Sequence, residues 1–253
     1  MTQEIINHLH TLANPDIASH SQRFFKTKKG EYGEGDLFLG IRVPVLRKLA
    51  KSYPNLTVDE ICILLRSPWH EIRLFSLILL VNLYQKKRSS TELKEQIFQT
   101  YLAQSQYINN WDLVDISAHK IVGPHLALNE EGLGCLHRLA SSPLLWDRRI
   151  AMISCFYFIQ QEIHSAWVLD IATRLVNDPH DLIQKAVGWM LRELGKRNPH
   201  LLFSFLDSHG TTMPRTALRY SIERLSTSQR THYLGLKDQL KYAEKKTKSK
   251  KGK

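Results

Sequence analysis

SPLLWDRRIAMIS (residues 142–154), DPHDLIQKAVGWML (178–191) and MPRTALRYSIERL (213–225) share one layout. Each has a proline at or near its start, a basic residue five or six positions later (Arg149, Lys185, Arg219), and a following apolar stretch of helical period. Their prolines lie 36 and 35 residues apart, and SPWHEIRLFSLILL (67–80), with Pro68 and Arg73, repeats the layout 75 residues before Pro143. That gap leaves room for one further unit, which contains INNWDLVDISAHKIVG (108–123). A recurrence every ~35–40 residues with two helices per unit indicates a HEAT-like α-solenoid, because a lone helix pair cannot bury its apolar faces and must stack on neighbours. The expectation is an all-α superhelix of about twelve helices, forming one domain over residues 1–240 with a concave basic face. In register, Arg73, Arg149, Lys185 and Arg219 fall on that face; alternatively they form ion pairs between helices.

Punctuation between segments agrees with helices throughout. Thr57 to Glu60 and Ser89 to Glu92 fit the capping box, in which a hydroxyl and a carboxylate three residues on satisfy free N–H groups at a helix start. Pro44, Pro68, Pro143, Pro179, Pro199 and Pro214 fall at or near first turns, where a missing N–H costs nothing. One segment breaks the pattern: KTKKGEYGEGDLFLGIRVP (26–44) holds four glycines and reads as a shaped loop between helices. It does not match a phosphate-cradling P-loop, and no strand precedes it.

Composition bounds the class. Hydrophobic residues make up 43% and charged residues 23% of the 253, the balance of a folded globular chain. The most apolar run, Leu74 to Leu83, is about half a membrane span, and MTQEIINHLH at the start carries no signal-peptide pattern, so a cytoplasmic, membrane-free protein is expected. Cys62, Cys135 and Cys155 are scattered through helical patterns and read as reduced core residues. Twelve histidines occur without HExxH or paired Cys/His spacing, so no metal and no cofactor is expected. The net charge of +11 favours a polyanionic partner. Residues 241–253, KYAEKKTKSKKGK, contribute +6 of it, leaving +5 on the body. Such a Lys-rich tail is too polar to pack and is expected to be disordered, adding salt-sensitive affinity for phosphates or serving only as a solubilising end.

Within INNWDLVDISAHK, Trp111 and Asp115 are four apart and share one helix face. Aspartate is a poor mid-helix residue, and a neighbouring indole partly desolvates it, so a cationic partner is expected nearby. Asp112 points elsewhere and reads as a cap or as the partner of a basic neighbour. Trp189 lies two units further on, with Arg149 in the unit between. Each tryptophan could equally be a core residue; the combination of two indoles, a carboxylate and basic groups favours a site.

These stretches resemble the AlkD-type DNA alkylation repair glycosylases over roughly residues 15–225. The motifs carrying the likeness are RFFKT (23–27) with the glycine loop, FLGIRVPVLRKLA (38–50), NNWDLVD (109–115), WDRRIA (146–151) and IQKAVGWMLRELGK (183–196). The resemblance implies a HEAT-like solenoid that holds duplex DNA against its concave surface. It also implies that Asp115 is the catalytic carboxylate, that Trp111 and Trp189 flank the lesion sugar, and that Arg149 contacts the adjacent backbone. Phe24 and Asn110 stand where some members carry a tyrosine and a second tryptophan. With Arg73, Lys185, Arg219 and Phe24 added as DNA contacts, the expected activity is a monofunctional glycosylase. It would release cationic N3- or N7-alkylated purines from double-stranded DNA, as a monomer. Two other readings stand beside it: a non-catalytic binder of DNA structure using the same basic groove, and a HEAT-type protein scaffold, for which Trp111 and Asp115 have no evident use.

Overall fold

The computed structural model describes residues 1–237. Within them lie thirteen α-helices and one 3-10 turn between residues 2 and 221, then helical residues 227–237, with no β-strand. The Lys-rich segment 241–253 lies outside the described residues.

The described chain forms two compact units, Met1–Asn129 and the part beginning at Glu130. The first contains α1 (Thr2–Thr11), α2 (Pro15–Phe24), α3 (Val43–Ala50), α4 (Val58–Leu65), α5 (His70–Gln85), α6 (Thr91–Ala103), a 3-10 turn (Ser105–Tyr107) and α7 (Trp111–Leu126). The second contains α8 (Gly132–Ala140), α9 (Leu145–Gln161), α10 (Ser165–Leu175), α11 (Asp181–Arg197), α12 (Pro199–His209) and α13 (Arg215–Ser221). In the first unit α5 packs between α3 and α7, with α4 and α6 behind; in the second, α11 packs between α9 and α13, with α10 and α12 behind. This is the expected two-row stacking of helix pairs, and the architecture is all-α, as in an α-solenoid of helical repeats.

The middle helix of the first unit's row is covered on every side along most of its length and has no polar face there. In α5 every side chain from His70 to Val81 is buried, charged ones included. The corresponding centre of the second unit brings α11 and α13 so close that a Cβ on Gly188 would sit 2.5 Å from the Ala217 carbonyl and from Tyr220 Cβ. Only hydrogen fits at that crossing.

Local signals hold with small shifts. Thr57 and Glu60 form the capping box at α4, as predicted. At α6 the cap is Ser90, whose hydroxyl accepts from the Leu93 N–H, because the Ser89 hydroxyl is drawn back to the Leu83 carbonyl. Pro44 and Pro199 stand in first turns. Pro68, Pro143 and Pro179 each precede the capping residue instead, and Pro214 is itself the cap of α13. There they hold the entering chain extended before the helix begins.

The glycine-rich stretch is a loop, as expected, and the folded chain shows what it is shaped for. The buried Glu71 carboxylate, at the start of α5, accepts the backbone N–H groups of Leu39, Gly40 and Ile41 at 2.8, 2.7 and 3.3 Å. Gly40 has φ +78°, and a Cβ there would lie 2.1 Å from the Asn14 carbonyl oxygen, so the loop also clasps the start of α2.

Candidate active site

The first turn of α7 carries the site and is anchored from below. Asn110 caps the helix, its side-chain oxygen accepting the Trp111 N–H at 2.8 Å. The amide groups of Asn109 and Asn110 donate to the buried Asp36 carboxylate, in the glycine loop. Asp36 also takes a 2.7 Å hydrogen bond from Arg73, at the start of α5. His70 lies between two carboxylates, its Nε2 2.8 Å from Asp112 and its Nδ1 3.4 Å from Asp36. Burial works against a charge on His70, but the carboxylate of Asp112 and the bonds to both aspartates outweigh it and raise its pKa to about 9. Burial likewise opposes ionisation of Asp36, yet His70, Arg73 and Asn110 hold its pKa below the usual carboxylate range. The imidazolium and guanidinium thus bolt two loops and two helices together beneath Trp111.

Asp112 takes the second alternative set out for it, the partner of a basic neighbour, since Asn110 is the cap. One oxygen accepts the Leu113 N–H and the other pairs with His70.

Above the anchor, Trp111 is fixed by aromatic neighbours. Its indole N–H donates to the Tyr32 hydroxyl at 3.2 Å. Phe25 lies against it at 5.4 Å between ring centroids, and Phe24 meets it edge-on at 5.9 Å. Phe24 is 57% exposed, so an apolar ring stands in solvent beside a half-buried indole. Asp115 is half-buried one turn further along the same stripe of α7.

Elsewhere the predicted residues have separate fates. In the second unit Trp189 is half-buried on α11 against Phe156, with ring centroids 5.7 Å apart. Lys185, one turn before Trp189, pairs with Asp181 at 2.7 Å. Arg219 is exposed on α13.

Two basic residues depart from the sequence expectation of cations on an open face. Arg73 is 3% exposed and committed to Asp36, the ion-pair alternative, so it is not a DNA contact. Arg149 is 4% exposed and donates to the Leu182 carbonyl at 2.6 Å, inside the first turn of α11. Both prolines that precede these residues open helices whose early side chains point inward, which the spacing alone does not reveal.

Sequence reasoning missed Tyr32 and the Asp36–His70–Arg73–Asp112 cluster. The signal for Tyr32 was weak, one aromatic in a loop read only for its glycines. The cluster joins residues far apart in the chain, so no local pattern announces it.

Among the described residues no helix is long and apolar enough to cross a membrane. The family model for "DNA alkylation repair enzyme" matches residues 5–225. A search of curated protein sequences gave no match. A solved structure described as a predicted DNA alkylation repair enzyme from Enterococcus faecalis superposes with a TM-score of 0.65 at 19% identity, over 85% of this chain and 97% of that one. At that identity the likeness is one of fold.

Proposed function

Since the chain belongs to the DNA alkylation repair enzyme family, we propose that it is a monofunctional DNA glycosylase that hydrolyses the N-glycosidic bond of cationic N3- and N7-alkylated purines in duplex DNA. The observation that carries this reading is the α7 stripe. A carboxylate, Asp115, stands one turn beyond an indole that Tyr32, Phe24 and Phe25 hold in place.

An alkylated purine of this kind already bears a positive charge, so it departs without being protonated and no general acid is required. What needs stabilising is the oxocarbenium-like sugar that forms as the C1′–N bond stretches. Asp115 supplies the complementary charge and orients the attacking water, while the face of Trp111 complements the same cation. At about 4 Å and an effective dielectric of about 20, a carboxylate–cation pair contributes about 4 kcal/mol, roughly a thousandfold in rate. That suffices for an activated lesion and not for a neutral base, so selectivity arises from the reactivity of the damaged nucleoside itself.

Phe24, Lys185 and Arg219 are the proposed DNA contacts. The Lys185–Asp181 pair is half-exposed, and a surface pair of this kind is weak enough to yield to a phosphate. Arg149 is assigned instead to holding the first turn of α11, the helix that carries Trp189.

The test is release of 7-methylguanine or 3-methyladenine from alkylated duplex by the wild type and by Asp115→Asn. We expect loss of about a thousandfold in single-turnover rate in the variant, with duplex binding retained. Equal rates in the two proteins would refute the mechanism, and DNA binding without base release by the wild type would favour the non-catalytic reading.

A further inference from the structure

We propose that the first unit holds a phosphodiester of the DNA backbone in the cationic cavity between α3, α5 and α7, through Arg47, Lys51, Lys86 and Lys120. This deepens the glycosylase reading and rests on its premise that duplex DNA is the substrate, but not on the chemistry assigned to Asp115.

The cavity has a volume of about 540 Å³, and its lining combines those four cations with the amides of Asn82 and Gln85 and a few aliphatic side chains; no carboxylate lines it. Several basic side chains elsewhere in the fold are matched with carboxylates: Arg73 with Asp36, Arg148 with Asp178, Lys185 with Asp181, Lys196 with Glu193. The four cavity cations make no ion pair or side-chain hydrogen bond within the described residues. Like charges gathered around a concavity repel one another, and an anion placed among them relieves that repulsion. Burial, reinforced by the charge of Arg47, pulls the Lys120 pKa below its usual range, as expected of an ammonium turned toward other cations. A guanidinium, three ammonium groups and two amides are donors suited to phosphate oxygens, without any means of reading a base.

The helix register ties this cavity to the proposed chemistry. Ile116 and Lys120 line it from α7, about 140° around the helix from Trp111 and Asp115, with both pairs lying off the buried stripe of Val114, Ser117, Ala118 and Ile121. The cavity-lining pair and the Trp111–Asp115 pair share the accessible side of one helix. The cavity thus contributes lesion-independent grip.

The experiment measures binding of the full chain to an undamaged duplex of about 20 base pairs as a function of salt. The proteins compared are wild type, Arg47→Ala/Lys120→Ala, Lys51→Ala/Lys86→Ala, and Lys48→Ala, which removes a charge from α3 outside the cavity. Each lost phosphate contact lowers the magnitude of the log–log salt slope by about 0.9. We expect each double variant to lose about 2 from that slope and about tenfold in affinity, with Lys48→Ala unchanged. Thermal unfolding of each variant verifies folding, and removing crowded like charges should leave the melting temperature equal or higher.

A slope unchanged in both double variants overturns the proposal. So does an equal loss in Lys48→Ala, which would indicate charge without a site. Inorganic phosphate, compared with chloride at matched ionic strength, provides the second arm. If it stabilises the wild type but not the double variants while the duplex slope stays fixed, the cavity takes a free small anion and the backbone assignment fails. Absence of any duplex binding by the wild type overturns this inference and the glycosylase reading together. Failure of the Asp115→Asn test alone leaves the salt result standing.

Discussion

At the scale of single residues, the position of Trp111 depends on charges it never touches. Asn110 caps the indole's own backbone N–H and is bonded to Asp36, which is held by Arg73 and His70. His70 gives this anchor a pH dependence whose sign follows from the shift. Its pKa rises from 6.5 to about 9 on folding, so the stabilisation is complete below 6.5, declines as pH rises toward 9, and is gone above it. His119 acts in the opposite range: burial, with Lys120 beside it, lowers its pKa to about 4, so stability falls as pH drops from 6.5 to 4. We expect unfolding free energy measured by urea titration to decline by roughly 2–3 kcal/mol across the alkaline range. His70→Gln should flatten that limb while leaving the acid limb in place; an alkaline limb of equal depth in the variant would show that His70 is not its source. Asp115 and Trp111 were legible in the sequence because helix spacing places residues four apart on one face. Their setting was not, since Tyr32 reaches Trp111, and Asp36 reaches the cap Asn110, across the fold.

At the scale of elements, the rows of helices are set by where backbones may approach. Gly188 lets α11 lie directly on α13, and Gly40 lets the loop between α2 and α3 pass the Asn14 carbonyl in a left-handed conformation. We expect Gly188→Val to lower stability by about 1–3 kcal/mol through overpacking of the α11–α13 crossing. Gly40→Ala should cost at least as much, because strain at φ +78° adds to the collision with Asn14. Chemical denaturation of each variant against a Gly134→Ala control tests both, since a Cβ at Gly134 meets only the end of the Arg138 side chain, at 3.9 Å. Equal midpoints for the three would mean that the crossings are more compliant than the geometry indicates. The repeat itself was readable: helices start at His70, Trp111, Leu145, Asp181 and Arg215 at nearly even intervals, as the proline-led segments foretold. Which face of each helix turns inward was not, and Arg73 shows why. A basic residue early in a buried helix can find a carboxylate contributed by a loop distant in sequence.

At the scale of the whole molecule, charge is the property that bears on function. The chain carries +11, of which residues 241–253 supply +6. A polyelectrolyte contact of this kind is long-ranged and screened by salt, with a Debye length of about 8 Å at physiological ionic strength. Deleting residues 241–253 should therefore weaken binding to undamaged duplex at low salt and reduce the salt slope. The single-turnover rate of base release from a saturated complex should stay the same, because the proposed chemistry is assigned to Asp115 and Trp111 on α7. Identical salt slopes with and without the tail would mark it as a solubilising end.

The amino-acid order by itself determined that the described chain is all-helical, that its helices come in stacked pairs, that the chain carries a net positive charge, and that an indole and a carboxylate share a face of α7. Each of these follows from periodicity or composition, which are local or additive. Only the folded chain decided which cations are spent inside, as Arg73 is on Asp36, and which stand unpaired, as Arg47 and Lys120 do around one cavity. The reason is physical: the fate of a charge depends on the nearest opposite charge in space, and the chain brings that neighbour from tens of residues away.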